Sequence, residues 1–261
     1  MIKYGSLSKD EMELISRLEY QGIRILSRQY LLSIYPENVR KVDNLLFNLT
    51  KKRRLKQLAR TKYLVIPIKA PYQVWGENEF IIADALMEGR DYYIGYNNMF
   101  NFYGFIQQIP QTIFILNTKY SKEKIIDSTK YKFVKIASNK LYGLTSLKID
   151  GIKVKISDKE RTLVDFVYYY KPIGSIKQAL RVVKEQMKRV ESNKFIKYVV
   201  KFPNLATRKR IGYFLEIKEI EEESLEPLLR SIRRSRSLTP LYESRFRRGK
   251  INKKWGLIIN A

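Results

Sequence analysis

Between Arg40 and Lys62 the chain concentrates the side chains best suited to gripping a nucleic acid. Arg40, Lys41, Asn44, Asn48 and Lys51 fall on one arc of a helical wheel. Arg and Asn bond the edges of guanine and adenine in the major groove, and Lys grips phosphates. Lys51, Lys52, Arg53, Arg54, Lys56, Arg60 and Lys62 then place seven cations within twelve residues. The dipole of a helix favours cations at its C-terminus, but seven exceed that need. Such a run neutralises backbone phosphates, adding affinity and salt dependence without reading sequence.

Other chemistry is narrowed by what is missing. The chain has no cysteine and no histidine, which removes disulfides, thiolate nucleophiles, the usual zinc sites and imidazole acid–base catalysis. Catalysis would have to rest on carboxylates, Lys, Tyr, Ser or Thr. Asp150, Glu160 and Asp165 are the carboxylates a metal-dependent nuclease core would use. Their spacing lacks the usual Asp followed by Glu-x-Lys on adjacent strands. Glu160 closes a capping box with Ser157, and Asp165 stands one helical turn after Arg161. A nuclease is therefore the weakest reading, no catalytic residue is assigned, and no cofactor or metal is expected.

Charge points the same way. Fifty-one Lys and Arg against 26 Asp and Glu leave +25 over 261 residues, which suits a polyanionic partner. The excess is uneven: +9 over residues 1–70, +1 over 71–150 and +15 over 151–261. A charge-rich, cysteine-free thermophile surface is the competing reading, but such a surface balances its signs. Two separate basic surfaces fit the distribution better. There is no signal-peptide core and no apolar run near the roughly 18 residues that span a bilayer, so a soluble, cytoplasmic protein without membrane contact is expected.

The elements around the basic arc explain its placement. Ser8 and Glu11 form a capping box opening a helix that buries Met12, Ile15 and Leu18 and stops near Gly22. Ser27 caps a short second helix, Arg28–Ser33, which Tyr35-Pro36 ends. The third helix, residues 38–52, buries Val39, Val42, Leu45, Leu46 and Leu49 at helical spacing. Phe47 falls on its outer arc, where it has either to pack under the next element or to touch DNA. The basic turn and the strand 62–67 complete a winged helix-turn-helix, with residues 38–52 as recognition helix and a hairpin wing.

Ala70-Pro71 marks the boundary of this domain (residues 1–70). The larger second domain, 71–261, is mixed α/β, so the class is α+β. A helix is expected over Trp75–Met87, a strand at Tyr92–Ile94 and a helix over Asn97–Tyr103. Strands follow at Thr112–Asn117, Tyr131–Ala137, Leu144–Leu147 and Ile152–Ile156, the last two joined by the Asp150-Gly151 turn. Leu163, Phe166, Val167 and Tyr170 form the buried stripe of a helix that Pro172 ends. Further helices are expected at Ile176–Met187, Phe195–Phe202 and Leu205–Leu215. Residues 219–226 are an acidic patch, and Trp255–Ile259 is a terminal strand. Before it, Arg245, Arg247, Arg248, Lys250, Lys253 and Lys254 form a second basic cluster, suited to DNA, RNA or an acidic partner.

Four segments resemble the AbiE-type antitoxins, the predicted transcriptional regulators of abortive-infection phage-defence systems. They are NLLFNLTKKRRLKQLARTKYLVIP, YYIGYNNMFNFYGFIQQIPQTIFILNT, ISDKERTLVDFVYYY followed by IGSIKQAL, and PLYESRFRRGKINKKWGLIIN. Together they span nearly the whole chain in the family's order. The chain departs from the pattern at Arg53, where the family carries glycine, at Thr61-Lys62 in the wing tip, and at Tyr103, where many relatives carry histidine before Gly104. The resemblance implies that the winged helix binds inverted repeats in its own promoter and represses the operon. It implies that the second domain antagonises a cognate nucleotidyltransferase-type toxin, directly or through that toxin's target. The alternative is a stand-alone winged-helix regulator whose C-terminal domain senses a ligand or partner.

Overall fold

Periodicity of the apolar residues, and the caps at their ends, divide the chain into helices and strands of an α+β protein. The computed structural model describes residues 6–217, 222–242 and 248–260. Two units emerge: residues up to Asp91 together with Ile126–Thr129, and the remainder from Tyr92 onward. The first unit thus runs on past Ala70-Pro71.

In the first unit, Ser8 and Glu11 exchange both capping-box bonds at the start of α1 (Lys9–Tyr20). Leu14, Ile15 and Leu18 fill the core. Met12, expected among them, is 43% exposed, because the buried stripe is set one position round and Leu14 takes its place. β1 (Ile25–Ser27) ends at Ser27, whose side chain caps α2 (Arg28–Ile34) by accepting from the Tyr30 amide. Asn38 caps α3 (Val39–Lys51) by accepting from the Lys41 amide at 2.8 Å. Val42, Leu45, Leu46 and Leu49 are buried; Val39, in the first turn, is half exposed and does not join them. Each buried aliphatic side chain contributes about 1.5–3 kcal/mol, so these four anchor the helix.

The end of α3 is closed by two bonds, Arg53 N to Thr50 O at 3.0 Å and Arg54 N to Leu49 O at 2.8 Å. This is a Schellman closure, and Arg53 adopts the left-handed conformation (φ 55°) that glycine usually supplies. β2 (Leu55–Ala59) and β3 (Lys62–Val65) follow as an antiparallel hairpin, and β1 adds to β3, giving the order β1-β3-β2. α4 (Glu79–Met87) packs on β2. It begins four residues later than expected, where Asn78 caps it by accepting from the Phe80 amide.

The second unit holds a six-stranded sheet of β4 (Tyr92–Ile94), β5 (Thr112–Asn117), β6 (Lys122–Ile126), β7 (Thr129–Lys135), β8 (Leu144–Ile149) and β9 (Ile152–Ser157), ordered β6-β7-β5-β4-β9-β8. β4 pairs antiparallel with β5 and parallel with β9. Asp150 (φ 46°) and Gly151 (φ 87°) turn the chain between β8 and β9, as a two-residue hairpin requires. Helices α5 (Asn97–Phe102), α6 (Lys159–Tyr168), α7 (Ile176–Gln186), α8 (Ser192–Lys201), α9 (Leu205–Ile217) and α10 (Glu222–Ile232) complete the unit with a small terminal sheet, β10 (Thr239–Pro240), β11 (Lys250–Asn252) and β12 (Leu257–Ile259). Residues 222–226, read as part of an acidic patch, are the first turns of α10; residues 219–221 lie outside the described residues.

α6 is the hub of this unit. Leu163, Phe166 and Val167 are buried as the stripe predicts, but so are Arg161 and Asp165, each 1% exposed. Tyr170 is buried too, yet it lies beyond the helix, which ends at Tyr168 before Pro172 is reached. Arg161 Nη2 donates to Asp165 Oδ1 at 2.9 Å and to Tyr93 Oη at 3.0 Å. The guanidinium carbon lies 4.5 Å from the Tyr142 ring centroid. Only glycine fits at position 143, where a Cβ would stand 2.7 Å from Arg161 Cβ. The expected Ser157–Glu160 capping box is absent. Asp158 caps the helix by accepting from the Arg161 amide at 2.8 Å, which frees Glu160 to accept from Lys194 and from the Glu191 amide at the start of α8. Among the described residues no helix is long and apolar enough to cross a membrane.

Candidate nucleic-acid interface

The exposed face of α3 and the hairpin that follows it carry the basic arc read from the sequence. The structure divides its eleven residues. Arg40, Asn44, Asn48 and Lys51 are exposed on α3, and neither Arg40 nor Lys51 makes an ion pair among the described residues. Arg53 stands exposed at the turn, and Arg60 and Lys62 flank the hairpin tip. These seven side chains remain available to a ligand.

The other four are already engaged. Lys41 Nζ lies 2.7 Å from Asp10 and sits over the Tyr35 ring. Lys52 reaches back to Glu11 at 2.6 Å, tying the end of α3 to the start of α1. Burial works against the Glu11 carboxylate, but the Lys52 ammonium and the Ser8 amide outweigh it and hold its pKa below the ordinary carboxylate value. Arg54 donates to the Pro67 carbonyl at 2.8 Å, and Lys56 pairs with Asp127. Partners 41 or 71 residues away leave no local mark in the sequence.

Between α3 and the hairpin lies a cleft of about 860 Å³, with Asp43, Phe47 and Thr50 on one wall and Gln57, Arg60 and Tyr63 on the other. Its acidic groups are neutralised from within. Arg28 holds Asp43 through two bonds of 2.9 and 3.1 Å, and this charge-assisted bond keeps the carboxyl below its ordinary pKa. At the hairpin tip, Glu88 accepts from the Thr61 amide at 3.0 Å and from its hydroxyl at 2.8 Å, and Arg90 stands 3.3 Å away. Arg60, on the wall of the cleft, makes no ion pair among the described residues. The Thr61–Glu88 tie fixes the tip at Thr61-Lys62. Neither this tie nor the Arg28–Asp43 pair was legible from spacing, because both join distant elements.

The second basic cluster is only partly placed. Arg245 and Arg247 lie outside the described residues. Arg248, Lys250 and Lys253 are exposed around β11. Lys254 is held by Glu216 at 2.5 Å and Glu222 at 2.6 Å; the two carboxylates raise its pKa above the ordinary lysine value. Beside it Trp255 is fully buried and donates Nε1–H to Glu216 at 2.7 Å.

The carboxylates weighed for a nuclease are dispersed. Asp150 is in the β8–β9 turn, Glu160 bonds Lys194, and Asp165 bonds Arg161. No group of three or more metal-ligating side chains occurs among the described residues. The Tyr168–Tyr170 run is used in packing. Tyr169 stacks on Tyr96 with centroids 4.1 Å apart, Tyr168 meets Lys140 and Phe202, and Tyr170 is buried.

No family model matches the chain, and a search of curated proteins returns no significant relative. Among solved structures, the RV2827C protein from Mycobacterium tuberculosis is similar in fold: TM-score 0.62 at 10% identity, over 97% of this chain and 92% of that one. At that identity the likeness speaks for the fold alone.

Proposed function

We propose that the first unit is a winged helix that binds double-stranded DNA, with α3 in the major groove and the β2–β3 hairpin as its wing. The observation that carries this reading is the exposed face of α3. It presents Arg40, Asn44, Asn48 and Lys51 beside a hairpin rimmed by Arg60 and Lys62, while the opposite face is locked into the core. Arg40, Asn44 and Asn48 lie nearest the base edges. Lys51, Arg53, Arg60 and Lys62 hold phosphates.

Together with the resemblance to AbiE-type antitoxins, this supports a DNA-binding antitoxin. It represses its own operon by binding inverted repeats and antagonises a nucleotidyltransferase-type toxin through the second unit, with no enzymatic activity of its own. The test is a reporter driven by the gene's own upstream region. Repression by the wild-type chain that is lost in Arg40→Ala/Asn44→Ala, together with rescue of growth when a neighbouring nucleotidyltransferase frame is expressed, supports the reading. An unrepressed reporter contradicts it.

A stand-alone regulator is favoured by one observation, an open groove of about 540 Å³ beside α7, lined by Lys177, Arg181, Lys184, Phe214 and Tyr242. Its cations and aromatic walls would suit an anionic effector. Repression intact without any rescue from the toxin would select this second reading.

A further inference from the structure

The exposed stripe of α3 contains one residue that its chemistry does not explain. Arg40, Asn44, Phe47 and Lys51 follow one another at spacings of four, three and four residues, so they form a single line along the helix. Three are polar. Phe47, in the middle, is 67% exposed.

Phe47 is not a displaced core residue. Val42, Leu45, Leu46 and Leu49 close the core beneath it, and Phe47 lies on the far side of the helix from them. Nor does it pack under the hairpin, since the space between is the open cleft. The polar groups beside it on the cleft side are already used: Asp43 by Arg28, and the Thr50 hydroxyl by the Leu46 carbonyl at 2.7 Å. An aromatic side chain left largely in water forgoes a large burial gain, and the core closes without it.

We propose that Phe47 reads thymine, by placing its ring against the C5-methyl group in the major groove. This inference rests on the DNA-binding reading of α3 given above. The major-groove edge of DNA offers hydrogen-bonding groups at every base, and the thymine methyl is its apolar feature. A ring flanked by Asn44, Asn48 and Lys51 would meet that methyl while its neighbours bond adjacent bases and phosphates. The specificity of the site is then partly a preference for thymine at one position of each half-site, independent of any hydrogen bond.

The test uses the full chain and the segment of its own upstream DNA that it protects. Each thymine in that segment is replaced singly by uracil, which removes only the methyl, and binding is measured for wild type, Phe47→Ala and Phe47→Leu. At one position per half-site the wild type should lose about fourfold in affinity, the worth of one buried methyl group. Phe47→Ala should bind more weakly and be indifferent to uracil there; Phe47→Leu, still apolar, should retain part of the difference. Phe47 is exposed, so unchanged thermal melting is expected for both variants.

An identical uracil penalty in wild type and Phe47→Ala, or no sensitive position at all, would overturn the inference while leaving specific DNA binding intact. A Phe47→Ala change that alters self-association but not the uracil response would also overturn it, assigning the ring to a second copy of the chain. Failure of the wild type to prefer its upstream DNA over scrambled duplex would remove the DNA-binding reading itself, and the thymine contact with it.

Discussion

At the scale of single residues, cations that look alike in the sequence part company in the structure. Lys51 and Lys52 are adjacent, yet one projects from α3 and the other is committed to Glu11. Replacing Asn44 by Ala should relax base preference at one position, costing about 1–3 kcal/mol on the preferred site. Replacing Lys51 by Ala should weaken all duplexes alike and reduce the salt slope by about one. Titrations on specific and scrambled DNA would show this, and equal losses on both for Asn44→Ala would contradict it. Arg53 offers a second test. Its left-handed backbone (φ 55°) carries a penalty of about 1–2 kcal/mol that glycine avoids. Arg53→Gly should therefore raise stability by about 1 kcal/mol in denaturant titration while weakening DNA binding slightly. A loss of stability would mean that the Arg53 side chain supports the turn.

At the scale of elements, the joints between helices make the predictions. The Glu11 carboxylate, held below the ordinary pKa by Lys52 and Ser8 in spite of its burial, stabilises the α1–α3 joint when charged. A depressed carboxylate pKa gives stability that is present above the unfolded value and lost as pH falls through the folded value. Glu11→Gln should thus cost about 1.5–3 kcal/mol at pH 7, and the difference from wild type should shrink below about pH 4.5. A difference independent of pH would contradict the ion pair. In the second unit, a Cβ on Gly212 would lie 2.0 Å from the Trp255 ring. Gly212→Ala should destabilise by at least about 1–3 kcal/mol, visible as a lower thermal midpoint.

These joints also mark what sequence could and could not convey. α3 was legible because Val42, Leu45, Leu46 and Leu49 repeat at helical spacing, and the β8–β9 hairpin because Asp150-Gly151 is a turn pair. β6 was not, since its Lys-Glu-Lys start on a sheet edge shows no alternating apolar face. α10 was read as an acidic patch because acidic residues crowd its first turns and Pro227 lies inside it. On the candidate interface, the outward arc of α3 followed from periodicity. Which of its cations would be spent inside the unit did not, because Asp10, Glu11 and Asp127 approach them only through tertiary packing.

At the scale of the whole molecule, the excess of +25 overstates what any one surface offers to DNA. Lys41, Lys52, Arg54 and Lys56 have internal partners, leaving Arg40, Lys51, Arg53, Arg60 and Lys62 on the α3 and hairpin face. With Arg40 turned to the bases, the four phosphate contacts of Lys51, Arg53, Arg60 and Lys62 give a slope of log affinity against log salt of about −3.6 per chain, whereas all nine cations would give about −8. The decisive measurement is binding to a duplex from the gene's own upstream region and to a scrambled duplex, across a salt series. A preference for the upstream duplex that persists at physiological salt is expected, with a slope of about −3.6 per chain. Equal affinity for both duplexes, vanishing together as salt rises, would contradict it.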